Sequence, residues 1–279
     1  MPSRNPVSLF TRCGVTTPID AGSIQGLRLA HRRATQPLAI DSLAAPLVLA
    51  AIFLGGGVVH GASPPVALSA GAGVSTAYVF IYMLPELSAA SAAFVTASAG
   101  RALPAPALRV YGAALVGFLV FYGLENLVSW SGTRTTHDEA DRASLRPVVF
   151  IHIGGFAVYA WLVSYLMIRG VTNAPVPIVL YTLAMGLHFL GIDHSLRREH
   201  GGAYDHVGRF VLAGAVLLGW LVAELTEVAK PLIITGLGLV SGGVVMNSMV
   251  MELAGEQEAR FWPFTLGALG YAGLLVMAG

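Results

Sequence analysis

Two histidines, His152 and His188, stand inside long apolar segments of this 279-residue chain. An imidazole is costly to place in hydrocarbon, so there it marks a metal ligand, a proton carrier or an interhelical hydrogen bond. Two neutral imidazoles alone leave a divalent ion short, because such ions usually take at least three protein ligands. Helical spacing offers further donors. Tyr159 follows His152 by seven residues, and Tyr181 and Ser195 lie seven to either side of His188, so each histidine shares a helix face with a hydroxyl. Ser75, Tyr78, Tyr82 and Glu86 recur at intervals of three and four, and Asn247 and Glu252 offer polar groups on a later segment. The candidate metal ligands are therefore His152 and His188. Ser75, Tyr78, Tyr82, Glu86, Tyr159, Tyr181, Asn247 and Glu252 are candidate third donors or pathway residues. Taken one at a time, such a His or Tyr more often makes a single interhelical hydrogen bond, worth about 0.6–2 kcal/mol.

The elements that must hold these residues are membrane helices. The chain is 55% hydrophobic and 11% charged, against about 25% charged in an average soluble domain. A β-barrel would need segments of alternating polarity, whereas Pro231 to Val245 is apolar on nearly every side. Apolar runs of about 20 residues suit a hydrocarbon core about 30 Å thick. The spacing predicts spans over Ala44–His60, Val66–Leu87, Leu108–Val128, Pro147–Ile168, Val176–Ile192, Phe210–Leu225, Leu232–Met251 and Phe261–Met277. The fold class expected is thus an all-α, polytopic bundle of eight helices over residues 44–279, preceded by a polar or amphipathic tail over 1–43.

Two links are long and charged, Ser131 to Arg146 and Arg197 to Arg209. The positive-inside bias places them in the cytoplasm with the N-terminus outside, although the arginines of the tail argue the other way. His200 and His206 read as mostly solvated link residues, as do His137, Asp138, Glu139 and Asp141, with metal sampling by these links as the lesser alternative, while Asp193 and His194 fall at the membrane boundary. The second and seventh spans share a pattern, Gly73-Val74-Ser75 to Glu86 and Gly243-Val244-Val245 to Glu256, with the same glycine-to-glutamate separation. Spans one to three and six to eight would run in opposite senses, the arrangement of inverted-repeat transporters whose substrate site lies at the repeat interface.

Met83-Leu84-Pro85-Glu86 on the second span, Gly117-Phe118-Leu119 to Gly123-Leu124-Glu125 on the third, and Gly242-Gly243 before Met251-Glu252-Leu253 on the seventh resemble the corresponding spans of ZIP metal transporters. The resemblance implies an inverted 3+2+3 bundle whose central fourth and fifth helices carry a divalent metal, zinc above others, as substrate. The expected location is the plasma membrane, the inner membrane in a bacterium. Family members carry His-Asn-x-x-Asp/Glu and His-Glu-x-x-His motifs on those two helices. Here the fourth span reads His152-Ile153-Gly154-Gly155-Phe156 and the fifth His188-Phe189-Leu190-Gly191-Ile192. Only the leading histidines match, with Phe156 and Ile192 at the positions of the second ligands.

Two other readings follow from the same residues. A relative without its ligands would be a non-transporting structural or sensory membrane protein. A membrane-embedded metal hydrolase would gather His60, His188, Asp193 and His194 around an ion holding an activated water. No nucleophile elbow, phosphate loop or dinucleotide fingerprint is present, so no enzyme of soluble type is expected. A net charge of +1 without a basic stripe argues against nucleic acid, and the single cysteine, Cys13, excludes an internal disulfide. The expected partners are the lipid bilayer, the metal ion and a second copy of the chain, for which Gly55, Gly56 and Gly57 offer a close-packing surface.

Overall fold

The computed structural model describes residues 40–60, 65–89, 106–131, 139–169, 175–253 and 260–278. Among these residues there is no strand. In hydrocarbon every backbone N–H and C=O needs an internal partner, and a helix supplies them within itself. The described helices are α1 (Ile40–His60), α2 (Pro65–Tyr78), α3 (Pro106–Trp130), α4 (Glu139–Arg169), α5 (Pro175–His200), α6 (Arg209–Leu225), α7 (Lys230–Leu253) and α8 (Phe261–Ala278). The expected tail, 1–43, lies mostly outside the described residues, and α1 begins at Ile40, within it.

Six stretches are long and apolar enough to cross a membrane: Val66–Ala89, Leu108–Trp130, Pro147–Arg169, Tyr204–Leu225, Lys230–Met249 and Phe261–Ala278. The apolar part of α1, Ser42–Gly55, is shorter. The last two turns of α5 hold Asp193, Arg197, Arg198 and Glu199. Large apolar side chains cover the outer faces of α3 and α8, among them Leu115, Leu119, Leu266 and Leu269, all exposed. Such faces are at rest only against lipid or another protein. The chain is an integral membrane helical bundle.

Inside it, α5 is well enclosed, with Tyr181, Met185, Phe189, Ile192 and Leu196 buried. It packs on α1 and α2, while α4 packs on α6. The closest pairs are α2 with α8 and α3 with α7, and glycines set both crossings. A methyl on Gly73 would strike the Phe264 carbonyl and one on Gly267 the Ala70 carbonyl; a methyl on Gly242 would strike the Ala114 carbonyl and one on Gly117 the Leu239 carbonyl. Each crossing thus joins two positions three residues apart on either helix. Backbones meet this closely only where no Cβ intervenes.

Three elements depart from expectation. Helix α2 passes through a wide π turn at Val79–Met83. That turn shifts the register, so Ser75 and Tyr78 are buried, Tyr82 is half-buried and Glu86 is exposed; the stripe read from the sequence is not one face. Helix α4 begins at Glu139, eight residues before the expected span, and carries Pro147 within it. The Arg197–Arg209 link is not a solvated loop. Helix α5 continues to His200, Gly201 takes a left-handed φ of 49°, and a π turn at Tyr204–Gly208 leads directly into α6.

Candidate metal centre

Helix α5 extends past the apolar run, and several of its polar residues pair there. Arg197 donates to Asp193, one turn earlier, at 3.2 Å, and pairs with Asp205 across the Gly201 turn. The Tyr204 hydroxyl donates to Asp193 Oδ1 at 2.7 Å, and the Arg197 guanidinium lies 5.4 Å from the centre of the Tyr204 ring. Asp193 is wholly buried. An ion pair survives burial when its remaining lone pairs find donors, and here arginine and tyrosine supply them. The network fixes the end of α5.

That fixed end carries Glu199 and His200 beside His152 of α4. His152 Nδ1 lies 2.8 Å from His200 Nε2 and 3.6 Å from Glu199 Oε2. One donor atom from each of the three residues falls within 4.8 Å of both others. Ser195, one turn earlier on α5, donates to Glu199 Oε1 at 3.4 Å. On the far side of the ring, Glu125 near the end of α3 places Oε1 3.7 Å from His152 Nε2. Three helices therefore bring two imidazoles and two carboxylates to one end of the bundle.

The donor chemistry suits a borderline divalent metal. Two nitrogens bound to one tetrahedral zinc at about 2.0–2.1 Å stand about 3.3 Å apart, so the His152–His200 contact need open by only about half an ångström. Burial, together with the neighbouring His152, pushes the His200 imidazole down to about 4, against the opposing charge of Glu125. Near neutral pH its ring is therefore uncharged, the form that binds metal. His152 Nε2 and His200 Nδ1 are buried and make no hydrogen bond.

His188 lies elsewhere. Its Nε2 is hydrogen-bonded to the Tyr159 hydroxyl at 3.0 Å in the middle of the bundle. Tyr159 is seven residues from His152, about 10 Å along α4 at 1.5 Å per residue. The structure does not bring His152 and His188 into one cavity. Phe156, at a position where the resemblance implies a ligand, stands between them; its ring lies 5.1 Å from His152 and 5.3 Å from Phe121, which in turn touches Tyr159.

Three of the remaining candidates, Tyr181, Ser75 and Tyr78, bond or stack within the bundle. Tyr181 donates to the Val163 carbonyl at 2.9 Å, and Ser75 donates to the Gly71 and Ala184 carbonyls. Tyr78 stacks on Tyr82 and meets Tyr181 edge-on. Asn247 is buried with its Nδ2 unbonded. The side chains of Glu252 and His60 lie outside the described residues, as do those of His137, Asp138, Glu139 and Asp141. The hydrolase set does not converge, because His188 faces Tyr159 while Asp193, five residues on and about 140° around the helix, faces Tyr204 and Arg197.

The sequence marks His152 as a candidate ligand, leaves Glu199 unremarked, and offers His200 only as a link residue for which metal sampling is the lesser reading. Glu125 reads from the sequence only as the acidic end of the third span. The missed signal was the pair of four-residue intervals, Asp193 to Arg197 and Ser195 to Glu199, by which a helix carries its own polar residues onward.

No family model, curated protein or solved structure matches this chain. The likeness to ZIP transporters rests on its residues alone.

Proposed function

We propose that this protein transports a divalent metal cation of zinc-like chemistry across a membrane, in a divergent ZIP-like bundle. The observation that carries the reading is the convergence of His152, Glu199 and His200 inside one end of a membrane-embedded bundle. Two imidazoles and a carboxylate favour Zn²⁺ and its first-row neighbours over Mg²⁺ or Ca²⁺, which prefer oxygen ligands alone. Three protein ligands leave a position for water, and with it a route for the ion to enter and leave.

The inverted 3+2+3 arrangement belongs to the same proposal. Exchanging α1 with α6, α2 with α7, α3 with α8 and α4 with α5 carries the α2–α8 crossing onto α7–α3 and the α4–α6 contact onto α5–α1. It also carries Ala70 and Gly73 onto Leu239 and Gly242, and Phe264 and Gly267 onto Ala114 and Gly117, at the same three-residue interval. This register sets Gly73 against Gly242, one residue from the pairing with Gly243 read from the sequence. It supports all eight helices, α1 and α5 included, as members of two related halves.

Uptake of Zn²⁺ into proteoliposomes tests the proposal. The intact chain should accumulate the ion, and the His152→Ala, His200→Ala double variant, checked for a monodisperse folded state in detergent, should not. Equal uptake by both ends the reading.

A second reading, a membrane protein that binds metal or senses it without transport, is favoured by His188. Its Nε2 is occupied by Tyr159, and among the described residues only the His152 group gathers three metal-binding side chains. Stoichiometric binding without uptake would select it.

A further inference from the structure

Resting on the metal-binding reading of the same site, we infer that Glu125 is a positioning residue that fixes the ring of His152 so that Nδ1, not Nε2, is the metal ligand. The two nitrogens of His152 face different partners. Nδ1 looks toward His200 and Glu199, at 2.8 and 3.6 Å. Nε2 is buried, makes no hydrogen bond, and has the Glu125 carboxylate 3.7 Å away. The Glu125 side chain is only 12% exposed, so few waters compete for its oxygens.

A neutral imidazole carries one N–H, and whichever nitrogen holds it cannot bind a metal. Metal-bound histidines commonly donate the other N–H to a carboxylate, which fixes the tautomer and makes the ligating nitrogen more basic. Glu125 stands where that carboxylate belongs. At 2.8 Å, the His152–His200 contact needs one N–H between its two nitrogens. With His152 protonated on Nε2 toward Glu125, that N–H comes from His200 Nε2. Binding then requires only that His200 exchange its ring proton from Nε2 to Nδ1, which makes no hydrogen bond. No net proton is gained or lost, and His152 need not rearrange. Glu125 also comes from α3, whereas the ligands come from α4 and α5, so the carboxylate ties the metal group to a third helix.

The test uses the full chain in detergent. Zinc titration calorimetry on Glu125→Gln should show affinity reduced about 10- to 100-fold, with Glu125→Asp recovering part of it. The Co²⁺-loaded forms should keep the same visible absorption spectrum, since the ligand set is unchanged. Nitrogen-15 spectra of histidine-labelled wild-type protein with Cd²⁺ should show the metal bonded to His152 Nδ1. Unchanged zinc affinity in Glu125→Gln overturns the inference. So does an altered Co²⁺ spectrum, which would make Glu125 a ligand, or Cd²⁺ bonded to His152 Nε2. The nitrogen spectra need no variant, so a Glu125→Gln chain that fails to fold leaves the question decidable. A wild-type protein that binds no Zn²⁺ overturns the metal reading and this inference together, whereas the Glu125 outcomes strike the inference alone.

Discussion

His152 and His188 are both buried imidazoles on enclosed helices, yet their surroundings differ in kind. In the middle of the bundle, His188 meets one hydroxyl, Tyr159, and the aromatic rings of Tyr159 and Phe189. At the end of the bundle, His152 meets a second imidazole and two carboxylates. The first environment satisfies a polar group; the second supplies more donors than one imidazole needs. A buried histidine therefore says little by itself, and the number of donors around it decides between glue and ligand. Near the middle of a membrane, carboxylates are hard to keep, whereas a helix end can recruit them from residues that reach toward water.

The sharpest way to break this contrast is to remove each imidazole in turn. His152→Ala or His200→Ala should weaken Zn²⁺ binding beyond about 100-fold, the upper range for losing an outer partner alone. His188→Ala should leave it within about threefold, taking roughly half a kcal/mol as the scatter of a distant substitution. Titration calorimetry on the three variants reads both. A His188→Ala variant that loses binding as His152→Ala does would erase the distinction between the regions.

Beside the candidate metal group sits a polar cluster expected to act on stability only. Tyr204→Phe removes the hydroxyl that donates to buried Asp193, and a charge-assisted hydrogen bond of this kind is worth about 1.5–3 kcal/mol. The variant should unfold at lower temperature in detergent and still bind Zn²⁺ with near-native affinity. Tyr159→Phe in the middle of the bundle is expected to cost less, about 0.6–2 kcal/mol for one interhelical hydrogen bond, again without change in metal binding. Thermal unfolding of both proteins, followed by circular dichroism, would show the order. A larger loss for Tyr159→Phe would mean that the middle region, not the end, anchors α4 to α5.

The sequence disclosed the helices and misplaced their ends for one reason. Apolar runs such as Val66 to Leu87 and Leu232 to Met251 can be read directly, because lipid-facing and core-facing residues are both apolar. A polar residue after such a run looks like the start of water. Asp193, Arg197 and Glu199 continue the helix because each has a partner one turn away or across the Gly201 turn, and pairing of that kind involves residues outside the apolar pattern. The site was half legible on the same account. His152 stood out as a polar residue in an apolar run, while His200 and Glu199 were hidden among charges. Phe156 and Ile192 depart from the ZIP-type pair of motifs in the sequence, and in the structure His188 is bonded to Tyr159.

The smallest expected effect comes from pH, and it touches only the end region. His200 falls from an ordinary 6.5 to about 4 in the folded chain, mainly through burial and then through His152. The unfolded chain therefore binds more protons between those values, and stability rises with pH across that window. The contribution is complete above about 6.5 and is lost as pH falls toward about 4. His200 remains partly exposed, which screens the effect. Melting temperatures of the metal-free protein should accordingly drop between pH 6.5 and 4, and the drop should be shallower in His200→Asn, which keeps a polar group and removes the titration. Identical slopes in the two proteins would show that the His200 ring is as solvated when folded as when unfolded, and the contrast between a dry cluster and open water at this end of the bundle would fail.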